Sequence, residues 1–502
     1  MKTIILGPPG TGKTTTLLNL VDQFIKQGIR PKQIGYFSFT RKAAREAATR
    51  AADKFNLDVD TDLENFRTLH SFAFKNLGMT KEKMMTGDDY KEFGKLVGIP
   101  IKTAKYSEDD GTFNSDNEYL TIMNTARVKR MDLLEYYDSR QNILDIERDT
   151  LFLLSDELKK YKKEKGLKDF TDLLEDCIAK EDKPSFKALF IDEAQDLSLI
   201  QWELVRSLWS NADKTYIAGD DDQAIFKWAG ADVDHFIALK EEVNDIQVLD
   251  QSYRIPGGPI HELSQNIIRK VQNRFDKNYK PRDEIGILKR YSDITQVNMS
   301  KGNWLVLSSA NYFLDDVKEL CELQGWYYQC KGINSVPLKL LLALNNWEHW
   351  RKGSYLNTIE IKNIYEYLGS NVVDGFRKGK TLHSEEKYTL KDCQEQHGLV
   401  TNKVWYDSFE GLDTLTETYI RNMRANGEMI NKNPRIIMST IHGAKGGEAD
   451  KVLLLQDITG AAIETFSHDP DELHRLFYTG ATRAKRELHI VDPKKFDRAY
   501  II

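Results

Sequence analysis

Near the amino terminus the stretch GPPGTGKTTT, Gly7 to Thr16, fills the pattern G-x-x-x-x-G-K-[ST] with Gly7, Gly12, Lys13 and Thr14. The chemistry such spacing offers is phosphate binding. A loop running through Pro8, Pro9, Gly10 and Thr11 to Thr15 can wrap backbone N–H groups around phosphate oxygens. Lys13 reaches the β and γ oxygens, the Thr14 hydroxyl holds Mg²⁺, and the following helix adds the positive end of its dipole. ATP and Mg²⁺ are the cofactors implied. A second stretch, LFIDEAQD from Leu189 to Asp196, delivers two adjacent carboxylates at the end of an apolar run. Asp192 can hold the metal while Glu193 orients and deprotonates a water, which favours hydrolysis over transfer to a small acceptor.

Positioning these groups requires buried strands that end in polar loops. The runs TIILG (Thr3–Gly7), IGYFSFT (Ile34–Thr40), ALFIDEAQD (Ala188–Asp196), KTYIAGDD (Lys214–Asp221), WLVLSS (Trp304–Ser309), KVLLLQD (Lys451–Asp457) and ELHIV (Glu487–Val491) read as such strands. Apolar strands alternating with helical patterns predict an α/β fold with parallel sheets covered on both faces, and ligands at the carboxyl ends of the strands. Residues 76–180 and 341–429 break the alternation and are too long for ordinary connections. They are expected to be mainly helical inserts. The expected organisation is a first core from 1–75 and 181–247, its insert 76–180, a second core from 248–340 and 430–502, and its insert 341–429.

Composition bounds the function. The chain has 502 residues, 40% hydrophobic and 29% charged, so it is an ordinary globular sequence with room for several domains. Its net charge of −6 argues against an evenly basic nucleic-acid-binding coat, so a polyanion must meet a local patch. Candidates are Arg41, Lys42 and Arg45, the run Lys159–Lys168, and the run Arg269–Arg282. Four scattered cysteines, Cys177, Cys321, Cys330 and Cys393, form no zinc or disulfide pattern. No signal or membrane-spanning stretch is apparent, so a cytoplasmic location without membrane contact is expected.

Taken together the motifs resemble those of the UvrD/Rep/PcrA-type helicases of superfamily 1. They stand in order as the phosphate loop, FSFTRKAAREAATR (Phe37–Arg50), FRTLHSF (Phe66–Phe72), DFTDLL (Asp169–Leu174), IDEAQD (Ile191–Asp196), AGDDDQAIFKWAGA (Ala218–Ala231), LDQSYR (Leu249–Arg254), STIHGAKGGEADKV (Ser439–Val452) and RLFYTGATRAKREL (Arg475–Leu488). The resemblance covers both expected cores and leaves both inserts unmatched. It implies two RecA-like domains with ATP in the cleft between them and single-stranded nucleic acid across their tops.

Residue roles follow from that resemblance. Gln223 is implied to contact the γ-phosphate or the attacking water, Arg254 and Arg483 to act as arginine fingers from the second core, Tyr253 to stack on adenine, and Glu448 to reach the ribose. The strand-binding face is implied to include Phe39, Thr40, Lys42, His70, Phe226, Trp228, Thr440 and His442. Exposed aromatics would stack on bases while hydroxyls and cations hold phosphates. For Phe39, His70 and Trp228 the competing reading is a buried core side chain. This sequence departs from the family in lacking the adenine-reading glutamine segment expected upstream of the phosphate loop. It has Ala229 where arginine is common and Gly447 where leucine is usual, so that one contact near the strand is either missing or supplied by Lys227.

The expected activity is an ATP-dependent DNA helicase or translocase moving 3′ to 5′ on single-stranded DNA. Its expected partners are duplex junctions and replication or repair proteins, and it is expected to be a monomer. Two other readings stay open: a single-strand-stimulated ATPase that strips proteins without unwinding, and a non-motor phosphate-loop switch.

Overall fold

Apolar runs of the chain assemble into two parallel sheets, each fed by loops at the strand ends. The computed structural model describes residues 1–107, 112–139, 146–369, 372–374, 382–383, 386–428 and 432–502, so parts of both expected inserts lie outside the described residues. The chain divides into two units, Met1–Ile285 with Glu464–Thr482, and Gly286–Ile463 with Arg483–Ile502.

In the first unit six parallel strands lie in the spatial order Phe66–Thr68, Ile34–Ser38, Phe186–Asp192, Ala212–Gly219, Lys2–Leu6 and Asp245–Val248. Register sets Leu6 beside Gly219 and Ser38 beside Asp192. Their carboxyl ends therefore release the phosphate loop, Phe39, the acid pair and Asp220 along one edge, where ligands of such sheets collect. The core under this edge joins Ile5, Leu17, Val21, Tyr36, Phe190 and Ala218 to a stripe of Ala47, Ala48, Ala51 and Ala52. Those alanines recur at helical spacing on Arg41–Phe55. Their small side chains let this helix lie close to the sheet while its arginines stay in water.

Within 76–180 the chain forms helices Gly87–Val97, Glu118–Val128, Leu133–Asp138, Arg148–Lys165 and Phe170–Ala179, with a hairpin of Ala104–Ser107 and Thr112–Ser115. They enclose their own core around Tyr90, Phe93, Leu120, Leu151 and Tyr161.

In the second unit the spatial order is Ile287–Tyr291, Ala484–Val491, Ala449–Leu455, Trp304–Ser308, Ile436–Thr440, Tyr328–Cys330 and Ile333–Asn334. All pairs are parallel except the last, where a short turn returns the chain antiparallel. Helices Leu338–Arg351, Thr358–Tyr365, Leu390–Gln396 and Thr414–Ala425 bury Trp347, Trp350, Ile361 and Ile420 in one core with Val306, Ile436 and Leu453 of the sheet.

The expected boundary after residue 247 differs from the observed division. Residues 248–285 and the helix Pro470–Ala481 pack with the first unit. Strands Gln251–Gly257 and Lys280–Ile285 pair in a separate small sheet there. Among the described residues no helix is long and apolar enough to cross a membrane.

Candidate nucleotide site and strand-binding loops

The phosphate loop turns through two residues in the left-handed region, Gly10 at φ 73° and Gly12 at φ 83°, and then enters the helix Lys13–Lys26. Lys13 folds back over Gly7 and its Nζ donates to the Gly7 carbonyl at 2.8 Å. Thr14 Oγ1 donates to Asp192 Oδ2 at 2.9 Å, and Tyr36 Oη donates to the same oxygen at 2.8 Å. Asp192 is buried, and burial followed by the charge of Glu193 pushes its carboxyl up to about 6 despite Tyr36, Lys13 and Thr14. Glu193 sits in the left-handed region at φ 53°, a strained conformation for a residue with a side chain, and its amide donates to Asp192 Oδ1 at 3.0 Å. Two oxygen donors converge here in a site that burial makes costly for an unneutralised carboxylate. That donor set fits a hard divalent cation such as Mg²⁺.

Gln195 links the acid pair to the next loop. Its Nε2 donates to Glu193 Oε2 at 2.6 Å, and its Oε1 accepts from the amide of Asp220 at 2.9 Å. Gln223 Nε2 in turn donates to Asp220 Oδ2 at 2.6 Å. Neither Gln195 nor Tyr36 was marked by the sequence patterns, although the glutamine lies inside the quoted acid motif. Arg254, expected from the second core, lies in the first unit against the phosphate loop. Tyr253 N donates to Gly10 O at 2.8 Å and Ser252 Oγ to Pro9 O at 2.7 Å. Tyr253 itself is 71% exposed, a free aromatic face beside the loop.

The strand-binding candidates separate by exposure. Trp228 is 48% exposed, whereas Phe39, Phe226 and His70 are buried. Phe39 packs on Phe226 with ring centroids 5.4 Å apart, and Phe226 packs on Trp228 at 6.3 Å. Of the two readings open for Phe39 and His70, the buried one describes both: Phe39 supports Phe226, and His70 packs against Tyr106 and Phe170. His70 Nδ1 lies 2.9 Å from Tyr106 Oη, and burial holds its pKa down at about 3, with Asp169 opposing. Thr40 caps the helix Arg41–Phe55 by accepting from Ala43 N at 3.2 Å, and Lys42 is exposed in its first turn.

Charge placement corrects two of the three basic candidates. In the run Lys159–Lys168, Lys162 is buried on Asp169 and Asp172, Lys165 pairs with Glu92, and Lys168 with Asp176. In the run Arg269–Arg282, Arg274 and Lys277 point inward onto Asp220, Asp221 and Asp222. Arg41, Lys42 and Arg45 remain exposed, directly after Phe39 and Thr40. Lys227, expected at the strand, instead donates to Asp469 Oδ2.

In the second unit Thr440 ends one strand and Glu448 precedes the next, while both strands run parallel to Trp304–Ser308. The intervening turns, with His442, carry the chain across the sheet. Thr440 and Glu448 therefore lie at opposite edges. Ala449 N donates to Arg483 O at 3.2 Å, and Arg483 Nη1 donates to Gly447 O at 3.3 Å, so Arg483 shares the Glu448 edge, at the amino ends of the strands. The rule that ligand residues cluster at carboxyl ends describes the candidates of the first unit and misses these two. Lys485 lies 3.4 Å from Glu448.

The family model of the UvrD/REP helicase N-terminal domain matches residues 1–244, and that of the UvrD-like helicase C-terminal domain matches residues 436–491. A probable DNA helicase II homolog of Mycoplasma pneumoniae is 29% identical, covering 99% of this chain and 84% of that protein. DNA helicase II of Rickettsia typhi is 28% identical, covering 97% and 89%. The ATP-dependent DNA helicase Rep of Buchnera aphidicola subsp. Baizongia pistaciae is 25% identical over 73% of this chain, which spans 55% of that relative's length. With a phosphate loop, an acid pair and both family signatures in order on two RecA-like units, the chain belongs to the UvrD/Rep helicase family.

Proposed function

We propose that the chain is an ATP-driven motor on single-stranded DNA that moves 3′ to 5′ and opens duplex junctions in replication or repair. The observation that carries this reading is one short loop: it begins at Asp220, holds Gln223 by hydrogen bond, and ends in the exposed Trp228. A residue suited to sensing a γ-phosphate and a residue suited to stacking on a base are thereby parts of one element.

Lys13 would exchange the Gly7 carbonyl for phosphate oxygens when ATP enters, and the exposed ring of Tyr253 would lie on the adenine. Thr14 and Asp192 would hold Mg²⁺, which neutralises developing charge on the phosphate oxygens. Glu193, fixed by Gln195, would orient the attacking water and accept its proton. Arg254, packed on Gly10, would stabilise the transferring phosphoryl group. Arg483 and Glu448 take their roles from their motifs alone. On the strand side Trp228 would stack on a base, and Thr40, Lys42, Thr440 and His442 would contact the backbone.

The test compares ATP hydrolysis with and without single-stranded DNA, and strand displacement on duplexes bearing a 3′ DNA tail, a 5′ DNA tail or an RNA tail. Stimulated hydrolysis with displacement from the 3′ DNA tail supports the proposal. Stimulation without displacement leaves a translocase, and hydrolysis indifferent to DNA sinks the motor reading.

A further inference from the structure

Three successive carboxylates are buried where the strand Ala212–Gly219 ends, and one ammonium group meets all of them. Lys277 Nζ lies 3.0 Å from Asp220 Oδ1 and 3.1 Å from Asp222 Oδ2, and it also donates to Asp221 Oδ1. Its side chain is 0% exposed. Arg274 clasps Asp222 with Nε at 2.8 Å and Nη2 at 2.6 Å, and Phe275 N donates to Asp221 Oδ2 at 2.9 Å. Burying a lysine without a partner is prohibitive, so this one is committed to the cluster. Burial drives the Asp220 carboxyl upward, yet Lys277 and then Lys13 outweigh it and hold the group below its ordinary range.

The two oxygens of Asp220 face different partners. Oδ1 faces Lys277, and Oδ2 accepts the Gln223 amide. Protonation would put a donor hydrogen on one of these oxygens, where the ionised carboxylate only accepts, so both contacts suit the ionised form.

We propose that Lys277 is a positioning residue for ATP turnover: by keeping Asp220 ionised and in place, it fixes the side-chain amide of Gln223. The inference rests on the role given to Gln223 in the motor reading. It explains why a basic residue from a run that looked like a polyanion patch is turned entirely inward.

The experiment is a double-variant cycle on the full chain, reading kcat and KM for ATP in DNA-stimulated hydrolysis for wild type, Lys277→Met, Gln223→Ala and the double variant. Lys277→Met is expected to lower kcat by roughly tenfold to a hundredfold, on the scale of losing one positioned donor. KM for ATP should stay within about threefold, since the amide acts after binding. The double variant should be no slower than Gln223→Ala alone, because the lysine works through the glutamine. Losses that multiply in the double variant would mean a merely structural role and overturn the proposal, as would full kcat in Lys277→Met. Should Lys277→Met not fold, the cycle is run with Asp221→Asn as the reference, which removes one negative charge along with the lysine. A Gln223→Ala variant with unaltered kcat overturns the relay but leaves the motor reading standing. Wild-type hydrolysis indifferent to DNA sinks the motor reading instead, and the same cycle is then read on basal hydrolysis.

Discussion

Alanine at Gly10 should unfold the first unit far more readily than alanine at Gly12, although both glycines belong to the same loop and the same conformational region. At φ 73° and 83° either substitution carries the left-handed penalty of about 1–2 kcal/mol. What separates them is space. A Cβ at Gly12 meets nothing nearer than Thr15 Cβ at 3.9 Å, an ordinary contact. At Gly10 it would stand 2.3 Å from Arg254 Cβ, 3.0 Å from Arg254 N and 3.1 Å from Ser252 Oγ. Relieving that overlap costs about 1–3 kcal/mol as overpacking. It also pulls on the bonds Tyr253 N to Gly10 O and Ser252 Oγ to Pro9 O, each worth about 1 kcal/mol. With both bonds lost the total for Gly10→Ala is about 4–7 kcal/mol, against about 1–2 kcal/mol for Gly12→Ala. Calorimetric unfolding, with titration of a fluorescent ADP analogue as the binding assay, measures both effects. Arg254→Gly in the Gly10→Ala background should recover part of the loss, because the atom at 2.3 Å disappears while the backbone nitrogen remains. Equal stability of the two alanine variants would refute the reasoning.

Asp192→Asn should lower ATP turnover roughly a hundredfold, as loss of a positioned charge does, without lowering the unfolding temperature, since an isosteric amide replaces a buried carboxylate that stands beside the charge of Glu193; a cold-shifted unfolding transition would contradict this. Trp228→Ala should weaken single-stranded DNA binding by about 1–3 kcal/mol in a fluorescence-anisotropy titration, whereas Phe226→Ala, a buried truncation, should destabilise the fold by about 3–5 kcal/mol. Unchanged affinity in Trp228→Ala would remove that ring from the strand site. His70 stays neutral in the folded chain down to about pH 3, while an unfolded histidine binds its proton near pH 6.5. Stability should therefore fall as pH drops below about 6.5, by about 2 kcal/mol at pH 5, and His70→Gln should remove that slope in urea unfolding. Parallel pH curves for the two proteins would show that the buried neutral ring is not the cause.

What the sequence made legible was local. The phosphate loop and acid pair are short stretches in which strand, turn and helix signals agree, so their partners Thr14 and Asp192 could be named before their 2.9 Å bond was seen. Exposure was not legible in the same way. Phe39, Phe226 and Trp228 look alike as aromatics near strand ends, and only packing decides that the first two support the third. Charge runs misled for a related reason. Lys162 and Lys277 sit among other lysines in the chain but face carboxylates outside their own runs, Asp169 and Asp221, and a run cannot show which of its members turns inward. Residues 248–285 were assigned to the second core by motif order, while contacts such as Ser252 with Pro9 tie them to the first unit.

The loop from Asp220 to Gly230 owes its usefulness to being held at several points. The short turns Asp221–Gln223 and Lys227–Ala229 bracket Ala224, Ile225 and Phe226, all buried. Lys277 and Arg274 grip its start, and Lys227 reaches Asp469 near its end. Gly230, at φ 100°, closes it where an added Cβ would stand 2.5 Å from Val128 Cγ2. Such a segment has little freedom to absorb a displacement by local rearrangement, because any internal motion must break buried contacts or ion pairs. A shift imposed at Gln223 would thus reach Trp228 as movement of one packed piece. Stiffness in this loop, more than flexibility, is what would couple phosphate chemistry to grip on a base.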